Sequence, residues 1–138
     1  MLLPEIDEKK TRNNVIELFE QYDSLCRLAG EQYEQKLTAD YNLEPKGDGG
    51  ISRPVENMVT RKIAAKQILE NLYQALTRLG IEQRAMLWNH YILKNVTEYV
   101  IQTEYHLTPP AYYARLKKAQ LAFAEVYNIG ELIVEITT

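Results

Sequence analysis

Few residues of this chain have the types and spacing that chemistry demands. His90 and His106 are the only histidines and Cys26 the only cysteine, so a zinc site of usual type lacks ligands and no internal disulfide can form. Gly47-Asp48-Gly49-Gly50 is not followed by the lysine and serine or threonine of a phosphate-binding loop. There is no His-Glu-x-x-His pair, and Ser24 and Ser52, the only serines, sit in no nucleophile elbow. Cys26 paired with His90 or His106 is the one formal nucleophile–base combination. A cysteine on the apolar edge of a helix is usually packing material. His106 precedes a helix cap and reads as a turn residue. Asn95-Val96-Thr97 fits the glycosylation pattern, which has no consequence without secretion. The expectation is a protein that is not an enzyme and needs no cofactor or metal.

The informative residues lie near the C-terminus. A short helix over about Thr97–Tyr105, a turn, and a longer helix opening Thr108-Pro109-Pro110 have helix-turn-helix spacing. Thr108 is a good N-cap, and Pro109 fixes the first turn without orphaning an N–H. Tyr112, Leu116, Ala119, Phe123 and Tyr127 recur at three- and four-residue steps and mark the buried face. That phase turns Pro110, Ala114, Lys117, Lys118 and Leu121 outward and leaves Ala111, Tyr113 and Arg115 on the flanks. Arginine can pair twice with guanine, lysine can hold phosphate, and tyrosine can do either weakly. Small alanines at 111 and 114 would let the backbone approach bases. The same three cations also suit an ordinary solvated face, and both tyrosines suit a core.

Other elements must position this pair. A helix is expected over about Asp7–Ala29, with Val15, Leu18, Tyr22, Leu25 and Ala29 on one face, Phe19 and Cys26 widening that stripe, and Gly30 as its stop. Pro45, Pro54 and the glycines between them indicate a connector over 31–53. Within it, Leu37, Ala39, Tyr41 and Leu43 alternate as in a short strand. A long helix is expected from Pro54 to about Leu79, with Met58, Lys62, Ala65, Leu69, Leu72, Leu76 and Leu79 on an a/d seam. That seam reads either as a self-pairing surface or as a helix lying on a core. A further helix covers about Glu82–Leu93. The β-branched tail Glu131–Ile136 favours a strand, for which Leu37–Leu43 is the predicted partner. The fold class expected is mainly all-α: a helical bundle with a C-terminal helix-turn-helix and this small two-stranded pairing.

With 138 residues, 46% hydrophobic and 25% charged, the chain has the size and balance of one globular domain. No run reaches the roughly 18 apolar residues of a membrane helix, so no membrane role is expected. The start, Met1-Leu2-Leu3-Pro4-Glu5, lacks the apolar core of a signal peptide and predicts a cytoplasmic protein. The net charge of −3 hides an asymmetry. Residues 1–53 carry 11 acidic and 7 basic side chains, whereas residues 54–127 carry 6 acidic and 9 basic. A basic half on an acidic chain keeps nucleic acid open as a partner, because the local field matters more than the total.

Segments spread along the chain resemble the ArpU family: Met1 to Thr11, Pro54-Val55-Glu56-Asn57-Met58-Val59, Tyr112-Tyr113-Ala114-Arg115-Leu116-Lys117-Lys118-Ala119, and Phe123-Ala124-Glu125. The resemblance extends through the glycine-rich connector to Gly130-Glu131-Leu132. It rests on order and spacing rather than on one strong motif. It implies a phage-encoded transcriptional regulator of Gram-positive bacteria, related to RinA-type late-gene activators and acting in the cytoplasm of the host cell. It also implies a C-terminal region similar to region four of sigma factors, binding double-stranded DNA to control lysis or packaging genes. Thr108-Pro109-Pro110 stands where that family's recognition helix usually opens with serine and small polar residues.

Two readings follow. In the first, residues 54–127 form a helix-turn-helix domain that contacts DNA through Thr108, Tyr113, Arg115, Lys117 and Lys118. A DNA reader should also gather some of Arg61, Lys62, Lys66 and Arg84 on the same face. In the second, the chain is an interaction module or adaptor that touches host RNA polymerase, another protein or a second copy of itself, with no direct DNA contact. Scatter of these cations, or ion pairs between them and Glu98 and Glu104, would favour the second.

Overall fold

The computed structural model describes residues 2–30 and 53–136 and is all-α. Its helices are α1 (Glu8–Glu20), α2 (Tyr22–Ala29), α3 (Arg53–Thr77), α4 (Ile81–Leu87), α5 (Glu98–Thr103) and α6 (Pro109–Val126). A π-helical turn, Trp88–Leu93, continues α4, and a 3₁₀ turn, Asn128–Gly130, follows α6. None of these helices is long and apolar enough to cross a membrane. The chain divides into two units, one of residues Met1–Gln21 with Asn71–Thr138 and one of Tyr22–Glu70.

In the first unit, Asp7 caps α1 by accepting from the Lys10 amide at 3.0 Å. Thr11, Val15 and Phe19, four residues apart, form its buried edge. Phe19 is the anchor: its ring centroid lies 4.9 Å from that of Phe123 on α6 and 5.6 Å from that of Tyr91 on the π-turn. Met86 and Leu87 of α4, Ile101 of α5 and Leu72, Ala75, Leu76 and Leu79 are buried as well. Each large side chain removed from water in this way contributes about 1.5–3 kcal/mol.

The expected single helix over 7–29 is two helices, broken at Gln21, which leaves the helical region with ψ near 1°. Leu18, assigned to the buried face, is only half-buried, while Phe19, expected at the edge of that stripe, is buried. The second unit holds α2 and α3 as far as Glu70. Its buried side chains include Leu25, Cys26, Ala29, Ala65 and Leu69. Gly30 closes α2 at φ +74°, where a side chain would be strained, and its amide bonds to the Cys26 carbonyl at 2.9 Å. Along α3 the a/d seam resolves into two parts. From Ala65 to Leu79 it is core, while Met58 is exposed together with Val55, Val59 and Ile63.

The tail pairs with the start of the chain. The Asp7 amide donates to the Val134 carbonyl at 2.7 Å and the Ile136 amide to the Glu5 carbonyl at 2.9 Å, an antiparallel bridge at Ile6 and Glu135. Two polar side chains of α1 complete the fit. Thr11 Oγ1 accepts from the Val134 amide at 3.0 Å, and Asn14 Nδ2 donates to the Leu132 carbonyl at 3.0 Å. The physical demand read from the sequence, a backbone partner for β-branched residues, is met by residues 5–7. Leu37–Leu43, the predicted partner, lies outside the described residues, as do the glycines at 47, 49 and 50.

Candidate nucleic-acid interface

Helix α5 is capped by Thr97, whose hydroxyl accepts from the Val100 amide at 3.2 Å. The chain then turns through His106, held at φ +57°, and the Leu107 amide returns to the Ile101 carbonyl at 3.1 Å. Thr108 caps α6 by accepting from the Ala111 amide at 3.3 Å, with Pro109 in the first turn. The cap engages the Thr108 oxygen but leaves its hydroxyl proton available to a phosphate.

The face of α6 predicted to be dry is dry: Tyr112, Leu116, Ala119 and Phe123 are buried, and Tyr127 beyond the helix end is buried too. Gln120 and Ala124 extend that face. Gln120, a polar residue in phase with Leu116 and Phe123, is held by a hydrogen bond from Nε2 to the Tyr91 hydroxyl. Leu121, placed outward by the sequence phase, is half-buried.

On the other side, Pro110, Tyr113, Ala114, Arg115, Lys117 and Lys118 are exposed. Tyr113 is 46% exposed, and its ring stands edge-on to Tyr112, centroids 5.2 Å apart. Lys117 and Lys118 have no ion-pair partner among the described residues. Arg115 does: Nη1 lies 3.0 Å from Glu82 Oε1 at the start of α4, with the two side chains 52% and 60% exposed. A pair so open to water is worth about 0.5 kcal/mol.

Of the further cations predicted for this face, Arg84 belongs to the same unit as α6. Arg84 turns inward, its Nη2 donating to the Leu79 carbonyl at 3.4 Å, so it serves the end of α3 rather than the surface. Arg61, Lys62 and Lys66 belong to the second unit. Five of the predicted contact positions therefore share one element, Thr108, Tyr113, Arg115, Lys117 and Lys118, and Glu82 joins them as a neighbour that no local pattern announced. Its partner is 33 residues away. Among the described residues no cluster of three histidines, cysteines, aspartates or glutamates could hold a metal.

Over 137 residues the chain is 34% identical to a protein named autolysin regulatory protein ArpU, from Streptococcus phage O1205, an alignment that covers 98% of this chain and 99% of that one. The chain belongs to the ArpU family. No family model matches it, and no solved structure matches it. The ArpU relative is named for regulation and not for a catalytic activity. In this ArpU-family chain, the segment Tyr112–Ala119 forms the first half of α6, where the buried and cationic faces meet.

Proposed function

We propose that the protein is a phage regulator that binds double-stranded DNA through α5 and α6 as a helix-turn-helix, within a reading domain of residues 54–127. Helix α6 enters the groove. Arg115 reads a base edge, Lys117 and Lys118 hold phosphates, Tyr113 makes a mixed contact, and the Thr108 hydroxyl donates to the backbone at the helix tip. The regulated genes are late phage genes, with lysis genes first among them given the autolysin in the relative's name, and packaging genes as a second class. This makes the chain a RinA-like activator or repressor working on DNA in the host cytoplasm, alongside the host RNA polymerase.

One observation carries this reading. A helix with a proline-set, threonine-capped start keeps one face fully dry and offers Tyr113, Arg115, Lys117 and Lys118 on the other. Gel-shift titration against the upstream and late-operon DNA of its own phage, at two salt concentrations, tests it. Binding that tightens on one fragment and weakens with salt supports the reading; equal, salt-independent retention of all fragments contradicts it.

A second reading, docking on a protein or on a second copy, is favoured by two features. Arg115 is paired with Glu82, and Val55, Met58, Val59 and Ile63 expose an apolar stripe at the start of α3.

A further inference from the structure

Three consecutive residues of the π-helical turn each meet a polar group of the helix pair. Asn89 Nδ2 donates to the Tyr105 hydroxyl at 3.2 Å, His90 Nδ1 lies 2.9 Å from the Tyr112 hydroxyl, and the Tyr91 hydroxyl accepts from Gln120 Nε2. Turns of this kind are rare and recur at functional sites. Tyr112 is fully buried in the opening turns of α6, and the next residue, Tyr113, meets the His90 ring edge-on at 6.1 Å and 89°.

Burial pushes the Tyr112 phenol well above its ordinary value and holds the His90 imidazole below its own. At neutral pH the phenol therefore keeps its proton. The arrangement that satisfies both groups is an imidazole protonated on Nε2, with Nδ1 accepting from Tyr112. A second proton on His90 turns Nδ1 into a donor. The Tyr112 hydroxyl must then turn its own proton away from His90, and no second acceptor is hydrogen-bonded to it among the described residues.

We propose that His90 is a positioning residue for the DNA-reading helix: neutral, it holds the first turns of α6 through Tyr112, and protonated, it releases them, so that mild acid weakens DNA binding. The proposal rests on the DNA reading above. The titratable groups facing His90 are the phenols of Tyr91 on its own turn and of Tyr112 and Tyr113 on α6. From α1, Arg12 and Glu20 act on Tyr91 in opposite senses, and burial alone shifts His90.

The test is DNA affinity at pH 7.5 and pH 5.5, at fixed ionic strength, for the full chain and for His90→Asn, His90→Phe and His106→Gln. Asparagine keeps an acceptor where Nδ1 stands and cannot take a proton. The wild type and His106→Gln are expected to lose about two- to fivefold in affinity in acid, less than the roughly tenfold an unshifted imidazole could give at pH 5.5, because burial lowers His90. His90→Asn should bind equally at both values, and His90→Phe should bind weakly at both. A full acid loss in His90→Asn overturns the proposal. An NMR titration of the wild type without DNA gives an independent readout: the amides of Ala111, Tyr112 and Tyr113 should move with the His90 ring. If they stay fixed while His90 titrates, the proposal fails. If they move but no DNA is bound at either pH, the DNA reading fails and the positioning contact stands.

Discussion

Arg115 and Glu82 meet at 3.0 Å across 33 positions of sequence, tying the middle of α6 to the first turn of α4. The pair sits on the surface, so it contributes little to stability. In the proposed reading its weight is functional: a carboxylate beside the best base-reading candidate would compete with DNA for the same guanidinium.

Replacing Glu82 by glutamine removes that competitor and one negative charge from the face. The expected outcome is a two- to fivefold rise in DNA affinity at low salt, roughly the worth of an exposed pair, with no loss of thermal stability. Affinity unchanged or lowered in Glu82→Gln would place Arg115 away from the duplex.

Phe19 joins α1 to α6 through its contacts with Phe123 and Tyr91. Phe19→Ala should cost about 3–5 kcal/mol of unfolding free energy, because the cavity lies among fully packed neighbours. Urea unfolding followed by tyrosine and tryptophan fluorescence measures it. A loss under about 1 kcal/mol would mean that α1 is not part of the same cooperative unit.

Burial pushes the phenols of Tyr91, Tyr112 and Tyr127 upward, with Glu131 adding to the effect at Tyr127. A group whose folded value exceeds its unfolded one adds stability below the unfolded value and loses it above. The melting temperature should therefore hold steady on the alkaline side until about pH 10, the ordinary phenol value, and fall beyond it. Spectrophotometric titration at the phenolate band should show these rings ionising late. A melting temperature that stays level through pH 11 would contradict the burial assigned to them.

Much of α6 was legible in the sequence because its signals are local. Thr108-Pro109 states a start, and the steps from Tyr112 to Tyr127 state a face; both depend on residues within one or two turns of each other. The core from Ala65 to Leu79 was legible for the same reason, although Met58 shows that a heptad pattern does not say where the core ends. What escaped detection was non-local or without a pattern. The break at Gln21 carries no proline or glycine. The π-turn at Trp88–Leu93 is written in the same apolar residues as a helix. The tail found its partner at Glu5–Asp7, a stretch too short and too charged to read as a strand, and Thr11 was needed to complete the match. Within the candidate interface, the exposed positions were readable from phase, whereas Glu82 and His90 became visible only through contacts to α6.

The claim that α6 presents its cationic side to a duplex is tested most directly by the salt dependence of DNA binding in Lys117→Ala and Lys118→Ala. Both side chains are exposed and neither is ion-paired among the described residues, so their removal should leave the fold intact. Each variant should bind every DNA fragment more weakly, and the slope of log affinity against log salt should flatten by about one unit per lost phosphate contact. Slopes identical to that of the wild type in both variants would remove these lysines from the interface and contradict the account.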